Sequence, residues 1–214
     1  GVMFHRKVLF VSVLALVIGF AAPVKAAEPI QLLAPDLISG KPLMQALKER
    51  RSIRSYSSRE LPLEVLSNLL WAARGINREG GMLTVPTAGN AQEIDVYVAM
   101  ASGLYLYDPQ AKVLQPVLDE DIRAFVGKQD FVKTAPVTLI YVAEMSRLKY
   151  NHLNDFYAAT DTGFISQNVY LFCASEGLAT VVLGWVDKET LAQKMGLKET
   201  QKVILTQPVG YPAD

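Results

Sequence analysis

The sequence is poor in the side chains that most often perform chemistry. It has one cysteine, Cys173, so no disulfide can form within the chain and no paired-cysteine metal site can be built. It has two histidines, His5 and His152, and no His-Glu-x-x-His pair, which leaves a zinc site without its usual ligands. A Ser-His-Asp triad would have to use His152, which stands in the polar stretch Tyr150-Asn151-His152-Leu153-Asn154 and reads as a surface loop. No Gly-x-Gly-x-x-Gly or Walker-type loop occurs, which disfavours a Rossmann or P-loop nucleotide site. Neither sign of charge is in excess: 21 basic and 21 acidic residues cancel, so no broad basic surface for nucleic acid is implied. Cys173 lies in an apolar helical stretch and reads as packing, not as a nucleophile. No side chain presents itself as a general acid or base, and no metal ligand set is present. These absences push any catalysis onto a bound cofactor.

What is present begins with a targeting segment. His5-Arg6-Lys7 is positive, residues 8–22 are almost wholly apolar, and Val24-Lys25-Ala26 places small residues where a signal peptidase reads. The apolar run is ~15 residues, short of the ~20 needed to span a bilayer. Residues 1–26 are therefore expected to be an export signal, with the mature chain periplasmic and free of the membrane. Arg6-Lys7-Val8-Leu9-Phe10 weakly resembles a twin-arginine signal, which exports folded, cofactor-loaded proteins. Without Arg6, Lys7 and Lys25, 18 basic residues face 21 acidic ones.

Residues 27–214 suit a single domain, because half the sequence is hydrophobic and the length allows a sizeable core. After an extended lead-in, helices are predicted over 42–50 and 61–73. A long loop rich in glycine and proline follows over 76–93. Strands are predicted over 94–100, 104–107, 112–117, 136–143, 179–183 and 203–207. Further helices are predicted over 119–126, 155–176 and 188–195. Strands and helices intermix without regular β-α-β alternation, so the fold class is α+β.

Three segments carry possible binding chemistry. Arg50-Arg51-Ser52-Ile53-Arg54 follows a helix and offers guanidinium forks and a hydroxyl to a dianionic phosphate; it also reads as a solvated basic helix end. If the run is extended, Arg50, Ser52 and Arg54 point one way and Arg51 the other. In Pro86-Thr87-Ala88-Gly89-Asn90-Ala91-Gln92 small residues let a flat ring approach the backbone. There Asn90 and Gln92 offer amides suited to the pyrimidine edge of a flavin. An ordinary polar loop reads the same way. The segment 176–185 ends a strand at Gly184, where a backbone N–H could face a ligand or merely turn the chain.

In this order and spacing the segments resemble the FMN-dependent nitroreductase family over essentially all of residues 27–214. Arg50-Arg51-Ser52-x-Arg54-x-Tyr56 resembles its opening motif, and residues 86–92 resemble its Pro-Ser-Ser-x-Asn-x-Gln loop. Asp161-x-Gly163 through Gln167-Asn168 to Gly177-Leu178 resembles its long central helix, and Gln207-Pro208-Val209-Gly210-Tyr211-Pro212 its terminal signature. Residues 70–78 are most similar to the branch containing azoline-oxidising dehydrogenases of peptide maturation. The resemblance implies an α-β-α sandwich, with a mixed, mostly antiparallel sheet flanked by helices, in an intertwined homodimer. It implies FMN held at the subunit interface by Arg50, Arg51, Ser52, Arg54, Thr87, Ala88, Gly89, Asn90, Gln92, Gln167, Leu183 and Gly184. The backbone at Leu183-Gly184 is expected to donate toward flavin N5.

Family members continue past Gly-Tyr-Pro into a Lys-x-Arg pair that also grips the phosphate. This sequence ends at Asp214 without one, so Arg50, Ser52 and Arg54 are expected to carry more of the load, with Arg51 or Arg78 as substitutes. The expected activity is transfer of reducing equivalents through flavin N5 to or from a small organic substrate, with NAD(P)H as a candidate donor. Nicotinamide donors are cytoplasmic, which an exported enzyme must reconcile. A flavin-binding or electron-transfer protein without its own turnover is the alternative, and an apo structural relative is a third. Substrate pockets are expected around 77–85 and 149–156.

Overall fold

Alternation along two central strands sets the architecture. The computed structural model describes residues 27–213; the expected export signal, residues 1–26, lies outside them. In chain order the elements are β1 (Ile30–Gln31), α1 (Leu43–Glu49), α2 (Leu63–Arg74), β2 (Ile76–Arg78), β3 (Met82–Leu83), β4 (Ile94–Met100), β5 (Gly103–Asp108) and β6 (Val113–Leu118). Then come β7 (Val137–Glu144), α3 (Asn154–Glu176), β8 (Ala179–Thr180), α4 (Lys188–Met195) and β9 (Gln201–Gly210). Seven strands form one sheet in the order β1-β6-β5-β4-β7-β9-β8. Ile94, Val96 and Val98 of β4, with Val137, Leu139 and Tyr141 of β7, pack against α2 and α3. Their neighbours Tyr97, Ala99, Ile140 and Val142 face the other way, against Leu191 and Met195 of α4 and the buried Ile122, Val126 and Val132. A period of two on strands buried on both faces thus produces helix, sheet and helix layers.

Local chemistry explains the element ends. Pro62 pre-sets the backbone that enters α2, and Gly75 closes it in extended geometry. A Cβ at Gly75 would lie 2.3 Å from the Trp71 ring, so only glycine fits. α3 ends at Gly177 in the left-handed region, and the Asp187 side chain caps α4 by accepting from Thr190 N–H.

Four expectations are corrected. Residues 119–126 are not a helix: the Asp121 carboxylate accepts from the Arg123 backbone N–H at 3.0 Å and binds its guanidinium, leaving one 3-10 turn. Residues 76–93 are not wholly loop, because β2 and β3 pair across Gly80 and Gly81, both at positive φ. The strand expected over 179–183 stops at Thr180, because Val182 N–H leaves the ladder for the Tyr170 hydroxyl at 2.9 Å. The expected mixed sheet is antiparallel in every pairing among the described residues. β9 enters between β7 and β8 and runs against both, so the two like-directed strands never touch.

Candidate functional site

The arginine run is extended and tied at both ends. Arg50 N–H still closes α1 on Ala46 O at 2.8 Å, after which the backbone opens to ψ 123°. Ile53 N–H then donates to Thr180 O at 3.0 Å, and Tyr56 bridges Pro212. Arg50, Arg51, Ser52 and Arg54 all border one cleft of about 930 Å³, with Lys41 and Lys48 on its rim. The C-terminal ends of α1 and α3 also border it, through Glu49, Ala174 and Gly177. These helix ends carry negative partial charge, so the cations complement them. Among the described residues none of the three arginines forms a salt bridge, which leaves their forks free for an anion. Arg78, the other expected substitute for a phosphate grip, does not join them. It bonds Asn77 Oδ1 at 2.9 Å and borders a separate cleft at the β2–β3 hairpin.

Tyr170 of α3 organises this end of the site. Its hydroxyl lies 3.0 Å from Ser52 Oγ and accepts from Val182 N–H, and the Arg50 guanidinium sits 5.1 Å from its ring centroid. One buried phenol therefore orients the serine, an arginine and the chain that leads to Gly184. Of the expected backbone donors, Leu183 N–H is already committed to Thr206 O at 2.8 Å. Gly184 N–H has no partner among the described residues, and Gly184 is exposed, so it is the available donor of the two.

The 86–92 loop sits elsewhere and is held under strain. Gly89, Asn90 and Gln92 have φ of 56°, 54° and 49°, a conformation that costs non-glycine residues of order 1 kcal/mol each. Side chains hold it. Thr87 Oγ1 accepts from Gln92 N–H at 3.0 Å, and Gln92 Nε2 donates to Gly81 O at 3.0 Å and to Asn90 Oδ1 at 3.1 Å. Ala88 N–H donates to Asp161 Oδ2 at 2.8 Å. Gln92 is thus spent on shaping the loop, while the Asn90 amide N–H₂ is exposed and unengaged.

Beneath the loop lies a buried polar cluster. Arg74 and Arg147 both donate to Gln92 O at 3.1 Å, and Arg147 also pairs with Asp95 at 2.9 Å. Glu93 is fully buried and Asp161 nearly so. Neither Glu93 carboxyl oxygen has a donor among the described residues. Burial pushes the Glu93 carboxyl up to about 7, with the nearby backbone N–H of Glu93 itself and Arg74 opposing the effect and Asp161 adding to it. Burial likewise lowers the Arg74 guanidinium.

Within this chain the arginine run and the 86–92 loop do not meet. They contact α3 at Tyr170 and at Asp161, nine residues apart, which is about 13 Å along the axis at ~1.5 Å per residue. Gln167 lies between them on the outward face of α3, exposed, one turn from the exposed Phe164. Tyr170, Arg74, Glu93 and Asp161 were not singled out from the sequence. Asp161 opens the motif at 161–163 and Glu93 directly follows the 86–92 loop, but both have polar neighbours in sequence, so nothing there marked them as buried. Cys173 and His152 fall as expected, one in the core and one at the surface.

Comparison with known proteins follows this geometry. The nitroreductase family model matches residues 47–211. A Methanocaldococcus jannaschii protein assigned to the nitroreductases is 33% identical over 195 residues, covering 86% of this chain and 97% of its own. A Ralstonia eutropha crystal structure with the same assignment is 42% identical with a TM-score of 0.84, covering 88% of this chain and 93% of that one. A Desulfovibrio desulfuricans structure in complex with FMN shares the fold at 22% identity and a TM-score of 0.61, covering 82% of this chain and 89% of that one.

Proposed function

The chain belongs to the nitroreductase family, and from that premise we propose that it is an FMN-dependent oxidoreductase acting on a small organic substrate. The observation that carries this reading is the cleft bordered by Ser52 and three arginines that form no salt bridge among the described residues. Its donor set of guanidinium forks and a hydroxyl suits a dianionic phosphate. When bound, FMN supplies hydride acceptance and release at N5. Arg50, Arg54 and Arg51 hold the phosphate, Ser52 donates from an orientation set by Tyr170, Gly184 offers its free N–H, and Asn90 offers its amide. The family relationship and an FMN-bound relative of the same fold support this assignment.

The 13 Å offset along α3 favours a site shared by two protomers, with the arginine run of one facing the 86–92 loop of the other. Phe156, Thr160, Phe164 and Gln167 lie on one outward face of α3 and supply the apolar contact for such a homodimer. Phe164→Arg should then convert a dimer to a monomer in light scattering and release FMN. We place the protein in the branch containing azoline-oxidising dehydrogenases on the strength of residues 70–78, where Trp71 Nε1–H closes on Ile76 O at 3.2 Å. We also propose export through residues 1–26, tested by N-terminal sequencing of protein from the periplasm.

The deciding experiment reconstitutes the purified chain with FMN, reduces it anaerobically with NAD(P)H or dithionite, and offers nitro, quinone and azoline acceptors. Bound flavin that reoxidises with an acceptor faster than free FMN supports an enzyme. Flavin that binds but never outpaces free FMN supports an electron-transfer protein instead. Absence of bound flavin removes the proposal.

A further inference from the structure

The Glu93 carboxyl group poses a physical problem that the binding site described above does not use. Glu93 is 0% exposed, immediately follows the 86–92 loop and finds no hydrogen-bond donor for either oxygen among the described residues. An ionised carboxylate buried without donors costs several kcal/mol, an order of magnitude that a folded protein of ordinary stability does not readily absorb. Another carboxyl, that of Asp161, faces it within hydrogen-bonding reach and is itself 2% exposed. Two carboxylates cannot satisfy each other, but a carboxylic acid and a carboxylate can, through one O–H···O bond. The arrangement therefore calls for one proton between them.

We propose that Glu93 and Asp161 share a single proton, and that the protonated pair is a positioning device which locks the 86–92 loop and thereby makes FMN binding proton-linked. The latch is visible in the contacts. Asp161 uses Oδ2 to accept from Ala88 N–H at 2.8 Å, so the carboxylate that takes the Glu93 proton is the one that anchors the loop. The loop carries three positive-φ residues, so it needs such an anchor to stay in place. Without the proton, two like charges face each other in a site with little water, and Asp161 is pushed away from the loop. This rests on the proposed FMN reading only for its second half.

Other charged groups surround the pair. Arg74 of α2 sits near Glu93 and favours its ionisation, but its guanidinium donates to Gln92 O rather than to either carboxylate. Arg147, after β7, is paired with Asp95 of β4 and also donates to Gln92 O. Tyr107 of β5 also neighbours Arg74; burial pushes its hydroxyl up to about 12 against the opposing charge of Arg74, so it stays protonated. None of these supplies a hydrogen bond to Glu93. The sign follows from the raised Glu93 group, whose ordinary value is 4.5 and whose value in the fold is about 7. The fold holds a proton that the unfolded or loosened chain does not. The stabilisation is fully present below pH 4.5 and is lost as pH rises through about 7.

The test uses the full chain and two readouts. FMN affinity, from quenching of flavin fluorescence, is measured between pH 5.5 and 8.5 in wild type, Glu93→Gln and Asp161→Asn. In wild type the Kd should rise with pH across neutrality, approaching about tenfold per unit for one linked proton. Glu93→Gln keeps a donor aimed at Asp161 without a titrating proton, so its affinity should stay near the low-pH wild-type value and change less than about twofold across the range. Infrared spectroscopy of the cofactor-free protein should show a protonated carboxyl band at pH 6 that is missing in Glu93→Gln and fades by pH 8.5. The protection of the Ala88 amide, corrected for intrinsic base-catalysed exchange, should fall as that band fades and stay constant in Glu93→Gln. A pH-independent wild-type Kd, or a Glu93→Gln protein that keeps the wild-type pH profile, overturns the linkage. Absence of the infrared band at pH 6 overturns the shared proton. If FMN binds at no pH, the cofactor reading fails by itself, and the infrared band with Ala88 exchange still decides the pair. Asp161→Asn can place its amide donor on Glu93 while its oxygen accepts from Ala88; pH-independent behaviour in it supports the pair, and wild-type behaviour counts against it.

Discussion

Replacing Arg50 with alanine tests where an anion would be held. The Arg50 guanidinium is half-buried, borders the cleft, forms no salt bridge among the described residues and lies 5.1 Å from the Tyr170 ring centroid. Hydrogen bonds to charged groups are worth about 1.5–3 kcal/mol. At ~1.4 kcal/mol per tenfold, losing one weakens FMN binding about 10- to 150-fold. The same substitution removes a cation–π contact of about 0.5–1 kcal/mol, which lowers the melting temperature by roughly 1–4 °C for a chain of this size. The variant therefore stays folded at room temperature while its affinity drops, and the two effects separate in a fluorescence titration run beside a thermal melt. Ionic strength must be held constant, because exposed charges are screened within ~10 Å at 0.1 M salt. Arg78→Ala is the matched control, since Arg78 borders the hairpin cleft and should change the Kd less than about twofold. Unchanged affinity in Arg50→Ala, or an equal loss in Arg78→Ala, refutes the placement of the phosphate.

Further outcomes follow from the same contacts. Tyr170→Phe leaves the Val182 N–H and Ser52 without their shared partner, so urea unfolding should show a loss of about 1–3 kcal/mol together with weaker FMN binding; an unchanged midpoint would contradict the hub. Asn90→Gly relieves a left-handed backbone but also deletes the amide oxygen that accepts from Gln92 Nε2, so fold stability should change by less than about 1 kcal/mol while FMN binding weakens; unchanged FMN affinity would argue against a binding role. Burial pushes the Cys173 thiol far above its ordinary range, so a thiol reagent should label it in denaturant and not in native buffer at neutral pH, and prompt native labelling would show that this core opens.

Much of the fold can be read from local pattern. β4 and α4 occupy the residues that their periodicity and caps predict, because both signals act within a few neighbours. The misread elements failed for non-local or side-chain reasons. Residues 119–126 have helical spacing, but one aspartate captured the backbone. The strand after Ala179 has β-branched residues, but a tyrosine on another helix took its N–H. The arginine run was visible as a cluster of charge, whereas its free forks became evident only once the neighbouring carboxylates were located.

The sequence alone carries the residue types: a phosphate-suited run at 50–54, a small-residue loop at 86–92, a scarcity of nucleophiles and ligands, and the order that points to the family. These are one-dimensional facts, set by composition and spacing. Tertiary structure decided which of those groups are free to act. It put Leu183 N–H into the sheet and left Gly184 N–H open, assigned Gln92 to the loop and Asn90 to solvent, and separated the two halves of the site by nine residues of α3. It also set Glu93 against Asp161, 68 positions away in the chain, where burial gives a carboxyl group properties that no reading of its neighbours in sequence would assign.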